Sequence, residues 1–199
     1  MKGVIDQLKR KGKVDEDLYF AKRDNELLAA MHSQRVRPQL GAEIVIVSGG
    51  QTGVDRAALD AALALGLPIG GWCPRGRRAE DGAISERYPL LETPAADYRE
   101  RTLWNLRDSD ATLILHAGAL TGGTLLTAQL ARRGARPLLT RDLATGFDLA
   151  STLDWLLTNH VRVLNCAGPR ESGLPGIYSQ ALDGFTRLFA AWTQRTGAG

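Results

Sequence analysis

The chain has 199 residues, 44% of them hydrophobic and 24% charged, which supplies enough apolar material for one sizeable core. Its formal net charge of +3 suits an anionic small-molecule ligand and is too slight to argue for nucleic acid. The two cysteines, Cys73 and Cys166, lie far apart with no CxxC, so neither a zinc site nor a disulfide framework is expected.

No apolar run reaches membrane-spanning length, and MKGVIDQLKRKGK has no apolar signal core, so a cytoplasmic protein without a membrane partner is the expectation. Residues 1–40 are rich in charge and carry no strand-like run. A helix over DEDLYFAKRDNELLAAMHSQ is predicted, capped by Asp15 or Asp17, with Leu27, Leu28 and Met31 on a side that favours docking. Arg37-Pro38 and Gly41 break it. The expected division is a helical extension over 1–40 and a ligand-binding domain over 41–199.

IVIVS reads as a buried parallel strand. SGGQTG follows it, and residues 51–65 form a helix whose small face (Val54, Ala57, Ala58, Ala61, Ala62, Leu65) can lie close to a sheet. Residues 69–73 are the next strand, and 74–94 a long loop with one short strand at its end. DYRERTLWNLRDSD is a helix, ATLILH a second buried strand, and LTGGTLLTAQLARRG a glycine turn opening into a helix. ARPLLT is a strand, DLASTLDWLLTNH a helix, VRVLNCAG a strand, and Pro175 to Trp192 a closing helix. This alternation gives an α/β class with a mostly parallel sheet.

Ligands of such sheets bind at the carboxyl ends of the strands. SGGQTG (Gly49, Gly50, Gln51, Thr52, Gly53) stands between strand and helix, where free N–H groups can hold an anion; a tight turn that needs glycine for geometry alone is the alternative. LTGGT (Thr121, Gly122, Gly123, Thr124) repeats the pattern, and two such turns can clamp one ligand. PRGRRAEDG adds Arg75, Arg77 and Arg78, whose forks suit phosphate unless Glu80 and Asp81 engage them. Trp72 could stack on a planar ring or fill core. His116, at the end of ATLILH, reads as structural, as do Asp108 and Asp110.

SGGQTGVDRAALDAAL, GGWCPRGRRAEDGAISERYPLLET, DYRERTLWNLRDSDATLIL, LTGGT and LNCAGPRESGLPGIY, in this order over residues 43–190, resemble the family called putative molybdenum carrier proteins. The resemblance implies a Rossmann-like, doubly wound subunit, often tetrameric, that binds the molybdenum cofactor (molybdopterin), a planar pterin with a phosphate and a metal-binding dithiolene. It implies a homo-oligomer, with molybdoenzymes as recipients of the cargo. The glycine loops with Arg77 and Arg78 would then hold the phosphate, Trp72 would meet the pterin, and Asp81 and Arg101 would complete the cofactor-binding set. That family is similar in turn to the "lonely guy" phosphoribohydrolases, which use an arginine before the central strand and a glutamate in PGGxGTxxE. Arg101 stands where that arginine would fall. If Thr124 matches the motif threonine, Thr127 replaces the glutamate, and threonine is no carboxylate acid at neutral pH. Asp55 or Asp81 could stand in for it. A binding protein is therefore expected in preference to a hydrolase or a nucleotide sensor.

Overall fold

The computed structural model describes residues 44–196; the extension expected over 1–40 lies outside the described residues. Within them the order is β1 (Val45–Val47), α1 (Val54–Ala64), β2 (Ile69–Gly70), β3 (Trp72–Cys73), β4 (Arg78–Ala79), β5 (Gly82–Ala83), β6 (Leu91–Glu92), α2 (Tyr98–Arg107), β7 (Ala111–His116), α3 (Gly122–Arg133), β8 (Leu138–Asp142), a 3-10 turn (Leu143–Thr145), α4 (Leu149–Thr158), β9 (Val163–Ala167) and α5 (Ile177–Thr196). The central sheet runs β2-β1-β9-β7-β8 and every pairing in it is parallel. It is the α/β, Rossmann-like arrangement that the alternation of strand and helix predicts.

The β-branched and leucine-rich strands are buried on both faces, as a covered parallel sheet requires. Ile46, Leu113, Leu115, Leu164 and Cys166 join α1, α4 and α5 in one apolar cluster. Ile114 and Ala167 face the other way and meet Ala128 of α3. Small residues let α1 approach: Ala57, Ala58, Ala61 and Ala62 are fully buried in that first cluster. On α5, Phe185 and Phe189 stack with ring centroids 5.4 Å apart. Burying each ring contributes about 1.5–3 kcal/mol.

β9 is the keystone of the sheet, because it bonds β1 on one side and β7 on the other. Asp110 fixes its entry: Oδ2 accepts from the backbone N–H of Arg162 at 3.0 Å and of Val163 at 2.9 Å.

The expected strand over 69–73 is two strands. The break is at Gly71, with φ of 126°, where a Cβ would stand 2.8 Å from Ser48 N and 3.0 Å from Asn105 Oδ1. The chain there passes too close to β1 for any side chain, leaves the main sheet, and pairs β3 with β6. The long loop also carries more structure than expected, a β4–β5 hairpin sealed by Leu59, Cys73, Ile84, Tyr88 and Leu90. No helix among the described residues is long and apolar enough to cross a membrane.

Candidate functional site

β1 leads through α1 outward to β2, whereas β7 leads through α3 outward to β8 on the other side. Their first turns therefore flank the end of β9, the switch point at which such sheets bind ligands. Gly168 shows how tightly the three strand ends converge. A Cβ there would overlap Leu115 O of β7 and come within 2.5 Å of Val54 Cγ2 of α1.

The first glycine turn is filled by the protein itself. Asp55, on the first turn of α1, is buried, and its Oδ2 accepts from Gln51 N at 3.3 Å and from Arg101 Nη1 at 3.2 Å. Thr52 N donates to Gln51 Oε1 at 3.0 Å, and Val54 N to Pro169 O at 3.2 Å. The glycines admit protein rather than open space: Arg101 lies on Gly49, Leu90 and Ile84 on Gly50, and the Pro169–Glu171 backbone on Gly53. Of the two readings of SGGQTG, the described contacts match a tight turn with an internal acid. An acidic residue at the second position of the helix was the signal, since a carboxylate is favoured at a helix N-terminus.

Arg101 reaches the turn from α2, with its side chain 16% exposed against 4% for Asp55. Burial pushes the Asp55 carboxyl up, while the Arg101 charge and the backbone N–H groups of Gln51 and Gly49 oppose that rise. Two buried donors beside this pair have no acceptor among the described residues, Gln51 Nε2 and Arg101 Nε. Such an orphaned group costs about 1–3 kcal/mol.

The second glycine turn is different. Thr121 gives no side-chain cap, the first turn of α3 holds no acid, and Gly122 (φ of 50°) and Gly123 have nothing within 4 Å of a Cβ position. Every other described α-helix has an acid at its start: Asp55 in α1, Asp97 in α2, Asp148 in α4, and Glu171, which accepts from Gly176 N and Tyr178 N, in α5. The positive end of α3 is thus uncompensated and open, the arrangement that holds a phosphate. Thr124 is buried just inside it.

The arginine loop divides its roles. Arg77 is a staple: Nε donates to Ile84 O at 2.9 Å, Nη1 to Leu90 O at 3.0 Å, and Nη2 to Ser85 O and Tyr88 O, both at 2.9 Å. That differs from its expected place on a phosphate, because four of its five N–H donors already hold the loop. Arg78 is exposed and makes no ion pair among the described residues. Asp81 is gripped by Arg56 through both oxygens, with Nη2 to Oδ1 at 2.7 Å, and that hydrogen bonding holds its carboxyl below the usual range. Arg77→Ala should therefore lower the melting temperature by several degrees and leave anion affinity unchanged. Arg78→Ala should do the reverse, and calorimetry with inorganic phosphate separates the two.

Glu80 clamps three loops together. It accepts from Thr52 Oγ1, from Ser172 Oγ, and from Ser172 N at 3.1 Å, with Arg170 Nη1 at 3.8 Å. Burial alone would raise its carboxyl, but the bonds from Ser172 and Thr52 and the Arg170 charge outweigh it, so its value is lowered from 4.5. A carboxylate with a depressed folded value contributes its stability above the unfolded value and loses it as pH falls through the folded one. The clamp should accordingly be complete above pH 4.5 and weaken below it. Hydrogen exchange at residues 75–84 should rise below that pH in the wild type and be raised at every pH in Glu80→Gln.

Trp72 is held against the C-terminal half of Arg101's helix. Its Nε1 donates to Asp108 Oδ2 at 2.6 Å, its ring meets Trp104 edge-on at 4.5 Å, and Arg107 lies over both rings. Its backbone is paired to the Asn105 amide, N to Oδ1 at 2.8 Å and O from Nδ2 at 2.9 Å. Thr127 donates to Gly123 O at 2.9 Å and is buried within α3. His116 Nδ1 is bonded to Gly118 O, which shapes the loop before α3. The structure thus gathers Gly49–Gly53, Asp55 and Arg101 at one turn and Thr121–Thr124 at the other, while Trp72 and Arg77 serve the surrounding frame. Among the described residues no three His, Cys, Asp or Glu side chains gather as a metal-binding group.

The model of the circularly permutated YpsA SLOG family matches residues 46–189. Among solved structures, a protein of Syntrophus aciditrophicus SB described as a "putative molybdenum carrier protein" is similar, with 43% identity over 75% of this chain and 96% of that one and a TM-score of 0.70. No curated protein matches.

Proposed function

This chain belongs to the circularly permutated YpsA SLOG family, and from that premise we propose that it binds and carries or stores the molybdenum cofactor. The observation that carries the reading is the open N-terminus of α3. Gly122, Gly123 and Thr124 offer backbone N–H groups at an exposed helix end with no internal acid. A terminal phosphate fits that end without displacing any protein group. When bound, the cofactor supplies the metal-binding dithiolene; the protein's part is to seat the phosphate, orient the pterin and screen it from water. The name of the Syntrophus relative supports molybdenum cargo.

The related hydrolase chemistry has less support. Position 127 holds a threonine whose hydroxyl is bonded to Gly123 O, and the two substitute acids are each tied to an arginine, Asp55 to Arg101 and Asp81 to Arg56. A general acid or nucleophile needs a carboxylate free to reach the sugar.

The test is native mass spectrometry of protein purified without oxygen from a cofactor-producing host. A co-purifying molybdopterin mass is expected, one copy per subunit, and Gly123→Val should lose it because the new side chain fills the open helix end. The same spectrum reports the oligomer, for which a homotetramer is proposed. A bound nucleotide in place of the pterin, or a protein that stays empty when offered cofactor, would overturn the reading.

A further inference from the structure

β8 is one margin of the central sheet, and β2 is the other. Natural sheets guard such margins, because unpaired N–H and C=O groups invite another strand. β2 is guarded: it is two residues long, and the chain turns away at Gly71. β8 is not. It runs five residues beside β7 in unbroken parallel register, from Leu138 opposite Thr112 to Asp142 opposite His116. Thr112 N donates to Pro137 O at 2.9 Å, which sets the alternation. Leu139 and Arg141 bond towards β7, and Leu138, Thr140 and Asp142 turn their N–H and C=O groups outward. The Asp142 carbonyl serves the 3-10 turn, where it accepts from Thr145 Oγ1 at 2.9 Å. Among the described residues, the N–H and C=O groups of Leu138 and Thr140 and the N–H of Asp142 have no partner.

Nothing in the strand blunts this edge. No lysine, proline or bulge interrupts Leu138–Asp142. The Arg141 charge is drawn onto α4, with Nε on Thr152 Oγ1 at 2.8 Å and Nη2 on Ser151 Oγ at 2.6 Å. Both faces of β8 already have cover, Leu138 packing on the Ile114 and Ala128 cluster and Leu139 on the main one. The backbone edge is what remains to be paired. Its outward residues are spaced evenly about Thr140, so the strand fits a copy of itself run in the opposite direction. A twofold contact needs one patch that is complementary to itself, and this edge meets that condition. We propose that β8 pairs antiparallel with β8 of a second copy, about an axis at Thr140, and joins two central sheets into one. Thr140 then exchanges both bonds with its counterpart, and Asp142 N donates to Leu138 O on either side. The side chains agree with this register. Leu139 stands across from Arg141, whereas a pair centred on Arg141 would set two guanidiniums opposite each other. Because the paired strands oppose, the crevices at their carboxyl ends open at opposite ends of the joined sheet. The pairing does not depend on what those crevices hold.

Hydrogen exchange resolved by residue, on the full chain, reads the alternation directly. In the assembled protein the amides of Thr140 and Asp142 should be protected like those of Leu139 and Arg141. On dilution to the dissociated chain those two should exchange about tenfold faster or more, while Leu139 and Arg141 stay protected. Thr140→Pro deletes the outward N–H at the axis and no bond to β7, a place where an edge strand tolerates proline. It should keep the circular dichroism of the wild type and halve the mass of the assembly in native mass spectrometry. Thr140→Lys sets two ammonium groups against each other at the axis and should halve the mass as well, which decides the matter if proline disturbs the strand. Rapid exchange at Thr140 in the assembled wild type, a wild type that is monomeric at every concentration, or an unchanged mass in Thr140→Lys would overturn the pairing. Protection of Thr140 that survives in the monomer would overturn it too, since a second copy would then not be the occupant.

Discussion

Gly53→Ala is expected to destabilise the protein by about 2–5 kcal/mol, a large part of the stability of an ordinary domain. Two costs combine. Gly53 has φ of 75°, and a left-handed conformation costs an L-residue roughly 1–2 kcal/mol. A Cβ there would also overlap Pro169 O and stand 2.8 Å from Glu171 N and 2.9 Å from the Arg170 carbonyl carbon. Those are backbone atoms of the loop after β9, which cannot rotate away, so overpacking adds about 1–3 kcal/mol. Gly66→Ala is the matched control. Its φ is 71°, but nothing lies within 4 Å, so it should cost only the conformational share. Urea unfolding of both variants checks the pair; equal losses would show that the approach of the β9 loop is not what demands glycine at position 53.

Arg101→Met should cost about 3–5 kcal/mol, because it leaves Asp55 buried without its counter-ion. The effect has a pH signature. The Asp55 carboxyl is already raised above 3.8 by burial, and losing Arg101 raises it further. A group that binds its proton more tightly when folded makes stability fall as pH rises from its unfolded value through its folded one. The variant should therefore regain stability on acidification towards pH 4, where ordinary domains lose it. The double variant Arg101→Met, Asp55→Asn should recover much of the loss, since the uncompensated acid is gone. A single variant with wild-type stability and an unaltered pH profile would mean that Asp55 is held neutral by the fold and needs no partner.

Sequence periodicity located the sheet well. ATLILH is β7 residue for residue, and IVIVS contains β1, because a run of β-branched and leucine side chains buried on both faces has few other uses. It also placed both glycine turns at strand ends, which is local information. What each glycine faces is not local. Arg101 is 46 residues from Asp55, and Glu80 is 92 from Ser172, so the internal occupants of the first turn could not be read from its own residues. Arg77 misled for the same reason: a guanidinium aimed at a phosphate and one aimed at four backbone carbonyls have identical sequence surroundings. β8 begins at Leu138 rather than at Ala135, whose φ of 50° belongs to the turn that ends α3.

The central position of β9 governs how the chain can be assembled. The pairs β2-β1 and β7-β8 touch no common strand except through β9, which is the last strand in chain order. During synthesis, two separate half-sheets with unpaired inner edges must wait until residue 167 has emerged, and then admit one strand between them. Closure of that gap is non-local on both sides, so folding should be slow and strongly cooperative, with the exposed inner edges of β1 and β7 the points where a nascent chain is open to aggregation.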